Sequence, residues 1–314
     1  MNCLPEEIII HTFRYLSLKT LLKTELVHSS FHSIIRKTKW NHSMSKKLRN
    51  KFCVENFDVP LRDYHYTYFT SYDFRHSCIN DSQLEFLGKC RCINLSGCEL
   101  VTDAGIKFLG SCHTLNLSGC RYITDEGVKY LGNCHVLDLT YTNITDFGVK
   151  ILTNCSILHL NYTNITDESV KCLGKCHSIY LRGCNITDES IKYLGNCHTL
   201  NLNANRNITD TGIKYLGNCH TLHLNYCHNI TDNGIKYLEN CHTLDLTGCH
   251  LTDDGIKYLW KCHTVSLCDC YKITDDGIKY LGNCHTLNLR YCYRITPNGI
   301  KCLNKCTNVR ISLL

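Results

Sequence analysis

Cysteine stands beside histidine throughout the C-terminal two thirds of this chain. The run GNCHTL fills residues 195–200, 217–222 and 282–287, and near-copies place Cys134-His135, Cys176-His177, Cys241-His242 and Cys262-His263. These residue types build metal centres and thiol nucleophiles. A zinc site asks for two ligands two to four residues apart, then a second such pair. Neighbours in an extended segment point to opposite sides, so an adjacent Cys-His pair chelates poorly. A nucleophile asks for one cysteine singled out by a positioned base, whereas this cysteine recurs in every copy. Stacked strands lie about 4.7–4.9 Å apart, within disulfide reach, but the side chains of a column run in parallel. The pairs therefore read as structural: no metal, no cofactor and no catalytic residue is expected. Cys92, Cys172, Cys268 and Cys302 lie outside the pattern, at Thr, Tyr or Ser positions, and read as neutral drift or packing. The histidines read as partly buried at the strand entrance, bonding backbone of the next turn.

The elements that hold these residues follow from their period. The anchor cysteines are Cys90, Cys112, Cys134, Cys155, Cys176, Cys197, Cys219, Cys241, Cys262, Cys284 and Cys306, at spacings of 21 or 22. A fixed period of that length is the mark of a stacked-repeat architecture. In TLNL, Leu200 and Leu202 face one way and Thr199 and Asn201 the other, a half-buried strand. Three residues on comes Cys98, Cys120, Cys184, Cys227, Cys249, Cys270 or Cys292, replaced in three repeats by Thr142, Thr163 or Asn205. All are small and hydrogen-bond, as a side chain tucked under a turn must. In ITD the aspartate, as in Asp210 or Asp232, is expected to cap a helix, and Asp81 takes that place in the degenerate first repeat. In GIKYL the Ile and Leu share a helical face, Lys and Tyr lean outward, and Gly195, Gly217 or Gly282 ends the helix. One such unit cannot bury its own apolar face, but a stack shares one core. A helix is wider than a strand, so the stack should curve with its strands inside. Twelve strands are expected, from Tyr72 to Ile311, and the 21/22 difference falls in a turn.

This L-x-L-x-x-C/N unit resembles a leucine-rich repeat, in its cysteine-containing subclass. The units here are shorter than usual for that subclass, and His stands where Pro is common. The resemblance implies an α/β fold: a leucine-rich-repeat solenoid over 71–314, about 11–12 units, a curved parallel sheet with short helices on the convex face.

The N-terminus differs. Leu4-Pro5 opens a helix that Glu6 and Glu7 favour, and Ile9, Phe13 and Leu16 form an apolar stripe. Two further helices are expected, over residues 19–27 and ending near Trp40. LPEEI, Leu21-Leu22 and Val27-x-x-x-Phe31 resemble an F-box, a small all-α domain placed here at 1–45. Thr20 and His28-Ser29 depart from the usual residues. The resemblance implies docking on a Skp-type adaptor, and through it a cullin, by Leu4, Pro5, Ile8, Phe13, Leu16, Leu21, Leu22, Val27 and Phe31. Residues 46–70 read as a linker or N-terminal cap.

Composition narrows the classes left. No apolar run reaches the roughly 18 residues of a membrane span, and CLPEEIII lacks the basic start of a secretory signal. Reduced thiols, in a cytoplasmic or nuclear setting, are expected for 25 cysteines. A net charge of +6 is not gathered in one block, and acids beside the helix lysines oppose a nucleic-acid reading. Function should lie where the repeats differ: Asp138, His159, Tyr180, His223 and Asp245 on the strands, Arg182 and Arg290 beyond them, and Tyr141, Tyr162, Tyr226, Asp269 and Tyr291 at the rim. Tyr and Arg clusters suit protein interfaces. The F-box resemblance implies the substrate-recognition subunit of an SCF-type ubiquitin ligase, itself no enzyme, with the arc binding a target protein. The alternative is a protein-interaction scaffold whose N-terminal helices only cap the stack.

Overall fold

The computed structural model describes residues 71–312. The F-box helices and adaptor-facing residues expected over 1–45, and the linker over 46–70, lie outside the described residues. Twelve strands form one parallel sheet in chain order. They are β1 (Ser71–Asp73), β2 (Cys92–Asn94), β3 (Thr114–Asn116), β4 (Val136–Asp138), β5 (Ile157–His159), β6 (Ser178–Tyr180), β7 (Thr199–Asn201), β8 (Thr221–His223), β9 (Thr243–Asp245), β10 (Thr264–Ser266), β11 (Thr286–Leu289) and β12 (Asn308–Ile311). This is the expected solenoid. Register is in step: Leu200 faces Ile179 on one side and Leu222 on the other. The middle residue of each strand from β1 to β11 is buried, while most flanking residues are half-exposed.

Each strand turns under the same contact. The Cys227 thiol donates to the Leu202 carbonyl of the preceding repeat (3.2 Å), and Cys120 treats Leu95 alike (3.1 Å). The shorter Thr142 and Thr163 hydroxyls reach their own repeat's Leu139 and Leu160 carbonyls at 2.6 Å. Asn205 bridges both kinds, donating to Leu181 and Leu202 at 2.9 Å. The residue inserted in the longer units is absorbed in the following turn, for Ile123 and Ile144 are equally buried. The anchor cysteines from Cys90 to Cys284 line the core at 0–3% exposure, so burial decides their role. Cys306, in the last unit, is half-buried.

Two local expectations are corrected. The expected capping aspartate is not the cap. Threonine one residue earlier has the extended backbone a cap requires, and Thr209 accepts from the Thr211 N–H. Asp188, already the first helical residue of its own repeat, turns to the next repeat, where its two oxygens accept from Thr209 N–H (2.8 Å) and Oγ1 (2.6 Å). The same pair recurs from Asp81–Thr102 to Asp275–Thr296. In the first repeat Asn80 takes the cap position, and Gln83 reaches back to its N–H (2.9 Å). Nor does glycine end the helix through a left-handed turn. Gly110 and Gly282 are right-handed (φ −62° and −59°). Glycine fits there because a Cβ on Gly110 would lie 2.8 Å from the Tyr130 carbonyl of the next repeat.

Candidate protein-recognition face

Strand alternation sends the first and third residues of each strand away from the helices, onto an open sheet face. The chain then runs on in register, and a residue four beyond the strand's central Leu, Ile or Val begins the turn with left-handed backbone. Glycine suits that conformation, and Gly97, Gly119, Gly183 and Gly248 adopt it (φ 63° to 75°). In this same column stand Tyr141, Tyr162, Tyr226, Asp269 and Tyr291, with φ 55° to 63°. A left-handed backbone costs a side-chain-bearing residue about 1–2 kcal/mol. Five of the twelve residues assigned to target binding therefore sit where folding alone favours glycine.

The twelve separate into two patches. On β4, β5 and β6 lie Asp138, His159 and Tyr180. The His159 imidazole stacks on Tyr180 with centroids 3.9 Å apart and planes within 2°. At the rim above them Tyr141 stacks on Tyr162 (4.6 Å, 6°), and the Arg182 guanidinium covers Tyr162 at 5.5 Å. Burial depresses the His159 imidazole below its ordinary value, against the opposing pull of Asp138. The second patch spans β8 to β11. His223 Nδ1 lies 3.8 Å from Asp245, and Thr247 Oγ1 donates to the same carboxylate at 2.7 Å. Burial would raise the Asp245 carboxyl, but hydrogen bonds from His223, Thr247 and Asn225 outweigh it and hold it below the ordinary carboxylate range. Tyr226, Asp269, Arg290 and Tyr291 are exposed around this pair. Between the patches, β7 and its turn carry Asn201, Asn203 and Ala204, with neither ring nor charge.

Two features are not legible in the sequence. Past the turn, His228 stacks on His250 (4.9 Å), whose Nδ1 meets the Tyr271 hydroxyl at 3.1 Å, extending the second patch. That column also varies between repeats, the signal by which it was findable. On the helical side, the outward-leaning tyrosines and lysines of the sequence pattern lie beside one another, as in Lys214 4.9 Å from the Tyr215 ring centre. The histidine column also corrects its expectation. Most of its rings are exposed, and six of them, His177, His198, His220, His242, His263 and His285, stack at 4.4–4.6 Å. Their backbone N–H and C=O groups join the ladder, as in His198 to His177 (2.9 Å), and Nδ1 of His198 meets Thr199 Oγ1 at 3.3 Å. Strand spacing aligns the rings. Ser156 interrupts the column between His135 and His177. Burial, then the charges of neighbouring imidazoles, depress His198 and His242.

The cysteine columns are chemically quiet. Burial pushes Cys197, Cys219 and Cys262 up to about 12 and Cys134 and Cys176 to about 11. Such thiols do not ionise near neutral pH. Among the described residues, no group of three or more His, Cys, Asp or Glu is placed to hold a metal ion, and no helix is long and apolar enough to cross a membrane.

Residues 1–43 match the family model of an F-box-like domain, and residues 113–132, 156–174, 220–238 and 242–259 match that of a leucine-rich repeat. No curated protein matches the chain in sequence. Among solved structures, the chain is similar to an internalin, inlF, of Listeria monocytogenes. The TM-score is 0.57 at 17% identity, over 89% of this chain and 98% of that one. It is similar to a chain of the TLR13–ssRNA13 complex, with a TM-score of 0.55 at 15% identity, over 88% of this chain and 49% of that one. A chain of the yeast Rad7–Elc1 complex aligns with a TM-score of 0.49 at 18% identity, over 94% and 92% of the two chains. At these identities the internalin and TLR13 likenesses speak to fold.

Proposed function

We propose that this chain, an F-box-like domain followed by leucine-rich repeats, is the substrate-recognition subunit of an SCF-type ubiquitin ligase. In this reading Leu4, Pro5, Ile8, Phe13, Leu16, Leu21, Leu22, Val27 and Phe31 dock on a Skp-type adaptor, which joins a cullin. The open sheet face holds the target protein. Ubiquitin transfer belongs to the recruited conjugating enzyme, so this chain carries no catalytic residue and no cofactor. Its setting is the cytoplasm or the nucleus.

The observation that carries the reading is the pairing of an F-box-like segment with a repeat face whose variable residues gather into two aromatic and charged patches. Rings and guanidinium groups anchored on a rigid sheet are what a protein interface uses. Nucleic acid is not the favoured ligand. Lys129, Lys171, Lys257 and Lys279 each pair with a carboxylate three residues earlier, so four of the helical lysines are neutralised locally and the row is no unbroken basic stripe. The second reading, a scaffold whose N-terminal segment only covers the stack, needs no adaptor. Co-purification of the full chain with a Skp-type adaptor separates the two. The ligase reading expects a stable complex that is lost in Leu4→Ala/Pro5→Ala with the repeats still folded. An intact chain that ignores the adaptor leaves the scaffold.

A further inference from the structure

The left-handed turn column contains a gap. In order along the stack it reads His76, Gly97, Gly119, Tyr141, Tyr162, Gly183, Ala204, Tyr226, Gly248, Asp269 and Tyr291. The rings of His76, Tyr141, Tyr162 and Tyr226 lean over the next repeat. A Cβ on Gly183 would lie 2.6 Å from the Tyr162 ring, one on Gly248 would lie 2.5 Å from Tyr226, and one on Gly97 would strike the His76 ring. Three of the column's glycines are thus roofed by the ring before them. Gly119 follows another glycine and has no such roof. The nearest atoms to a Cβ there are backbone of Gly97, at 3.7 and 3.8 Å.

Over this position opens a cavity of about 700 Å³, with His76 at one end and the Tyr141–Tyr162 pair at the other. Arg182 packs beside Tyr162, and Tyr141 borders the cavity. Glu99, Arg121 and Asn164 line the cavity, and no side-chain hydrogen bond or ion pair engages them among the described residues. One carboxylate and one guanidinium give no net charge preference, so ring stacking decides the occupant. The column itself shows what fits, since Tyr141 fills the equivalent place over the next repeat at 4.6 Å and 6°.

We propose that the cavity over Gly119 is an anchor pocket for an aromatic side chain, tyrosine above others, presented by the bound protein. The inserted ring continues the Tyr141–Tyr162 stack, and Arg121 and Asn164 meet its hydroxyl. The pocket is continuous with the β4–β6 patch and rests on the reading of that face as the target-binding surface. It names the residue the target brings there.

The test uses the full chain and N-acetyl-tyrosinamide, followed by saturation-transfer NMR. Wild type should bind the probe saturably, and more tightly than N-acetyl-argininamide or N-acetyl-leucinamide. Gly119→Tyr supplies the missing ring from within and should abolish binding. Four tyrosines already tolerate that backbone in this column, so the variant should fold, with at most a small fall in its melting midpoint. Tyr141→Gly removes the wall and should weaken binding about two- to twelvefold, as loss of an aromatic pair does. Tyr215→Ala, an exposed tyrosine on the helical side, should bind as wild type. No saturable binding, binding unchanged in Gly119→Tyr or in Tyr141→Gly, or equal affinity for the leucine or arginine probe overturns the proposal. Adaptor co-purification reads the ligase assignment separately: failure of the pocket leaves adaptor binding intact, and failure of adaptor binding leaves the pocket result standing.

Discussion

The interior of the repeat stack and its open face answer to different constraints. Inside, each unit repeats its contacts almost atom for atom: a buried central strand residue, a thiol or hydroxyl on a leucine carbonyl, and a carboxylate gripping the next unit's threonine. Each position touches the units before and after it, so a change in one copy misfits two neighbours. On the open face the side chains have no such obligation. There His159 lies on Tyr180 while the equivalent Asn201 and Ser266 carry no ring. The rim column is more telling, because some units accept the strain of tyrosine where others keep glycine. Uniformity marks what the fold needs, and departure at a cost marks what folding does not explain.

The comparison breaks most readily in the interior. Leu200→Ala empties a fully buried site between Ile179 and Leu222 and should cost about 2–5 kcal/mol, read as a fall in the denaturant midpoint. A loss under about 1 kcal/mol would mean that neighbouring units close the gap, and that the interior is softer than its regularity suggests. Asp188→Ala comes next. It strips both partners from the half-buried Thr209 and should cost about 1–3 kcal/mol. Since Thr209 still caps its own helix, the loss should appear as weaker coupling between adjacent units, with helix content by circular dichroism preserved before the transition. If helix content falls first, the aspartate serves its own helix after all.

Acid gives a smaller, signed test. His159, His198 and His242 are depressed in the fold, so the unfolded chain binds protons more readily. Stability is whole above the unfolded value of about 6.5 and falls as pH drops through it toward the folded values. Melting midpoints measured from pH 7.5 down to 5 should decline. Asp245 is depressed too, which adds a second loss of the same sign below the ordinary carboxylate range. A midpoint that rises on acidification would show that the stacked imidazoles are not packed as described.

The architecture was legible because its signals are local and repeated. The 21/22 period, the Leu-x-Leu alternation and the small residue under the turn each need only a few neighbouring letters, and they gave twelve strands in register. What escaped depends on reach between units. Thr209 and Asp210 are adjacent and both able to cap, and only the contact of Asp188 with the next unit reveals that the two tasks are divided. The six-ring histidine stack and the bare Gly119 likewise exist only between repeats. The twelve face residues could be named from their variation, but their grouping into two patches required knowing which rings meet.

The smallest expected effect has the opposite sign and sharpens the comparison most. Tyr226 is exposed at a left-handed position (φ 58°), where glycine carries no Cβ penalty. It meets His228 edge to face at 6.2 Å and roofs Gly248, modest contacts for a side chain open to solvent. Replacing it with glycine relieves about 1 kcal/mol of backbone strain, offset by the greater freedom glycine gains in the unfolded chain, about 0.5–1 kcal/mol. The midpoint should therefore stay within about 0.5 kcal/mol of wild type, on the stable side once the tyrosine's own ordering cost is removed. A residue whose loss leaves the fold no worse is not kept for the fold. Binding of the target protein, measured on the same variant, should weaken as for an interface tyrosine, by about 1 kcal/mol or more. Equal stability with weakened binding places Tyr226 among the residues that serve recognition. A drop in stability comparable to Asp188→Ala would return it to the interior's logic, and with it the rest of the rim column.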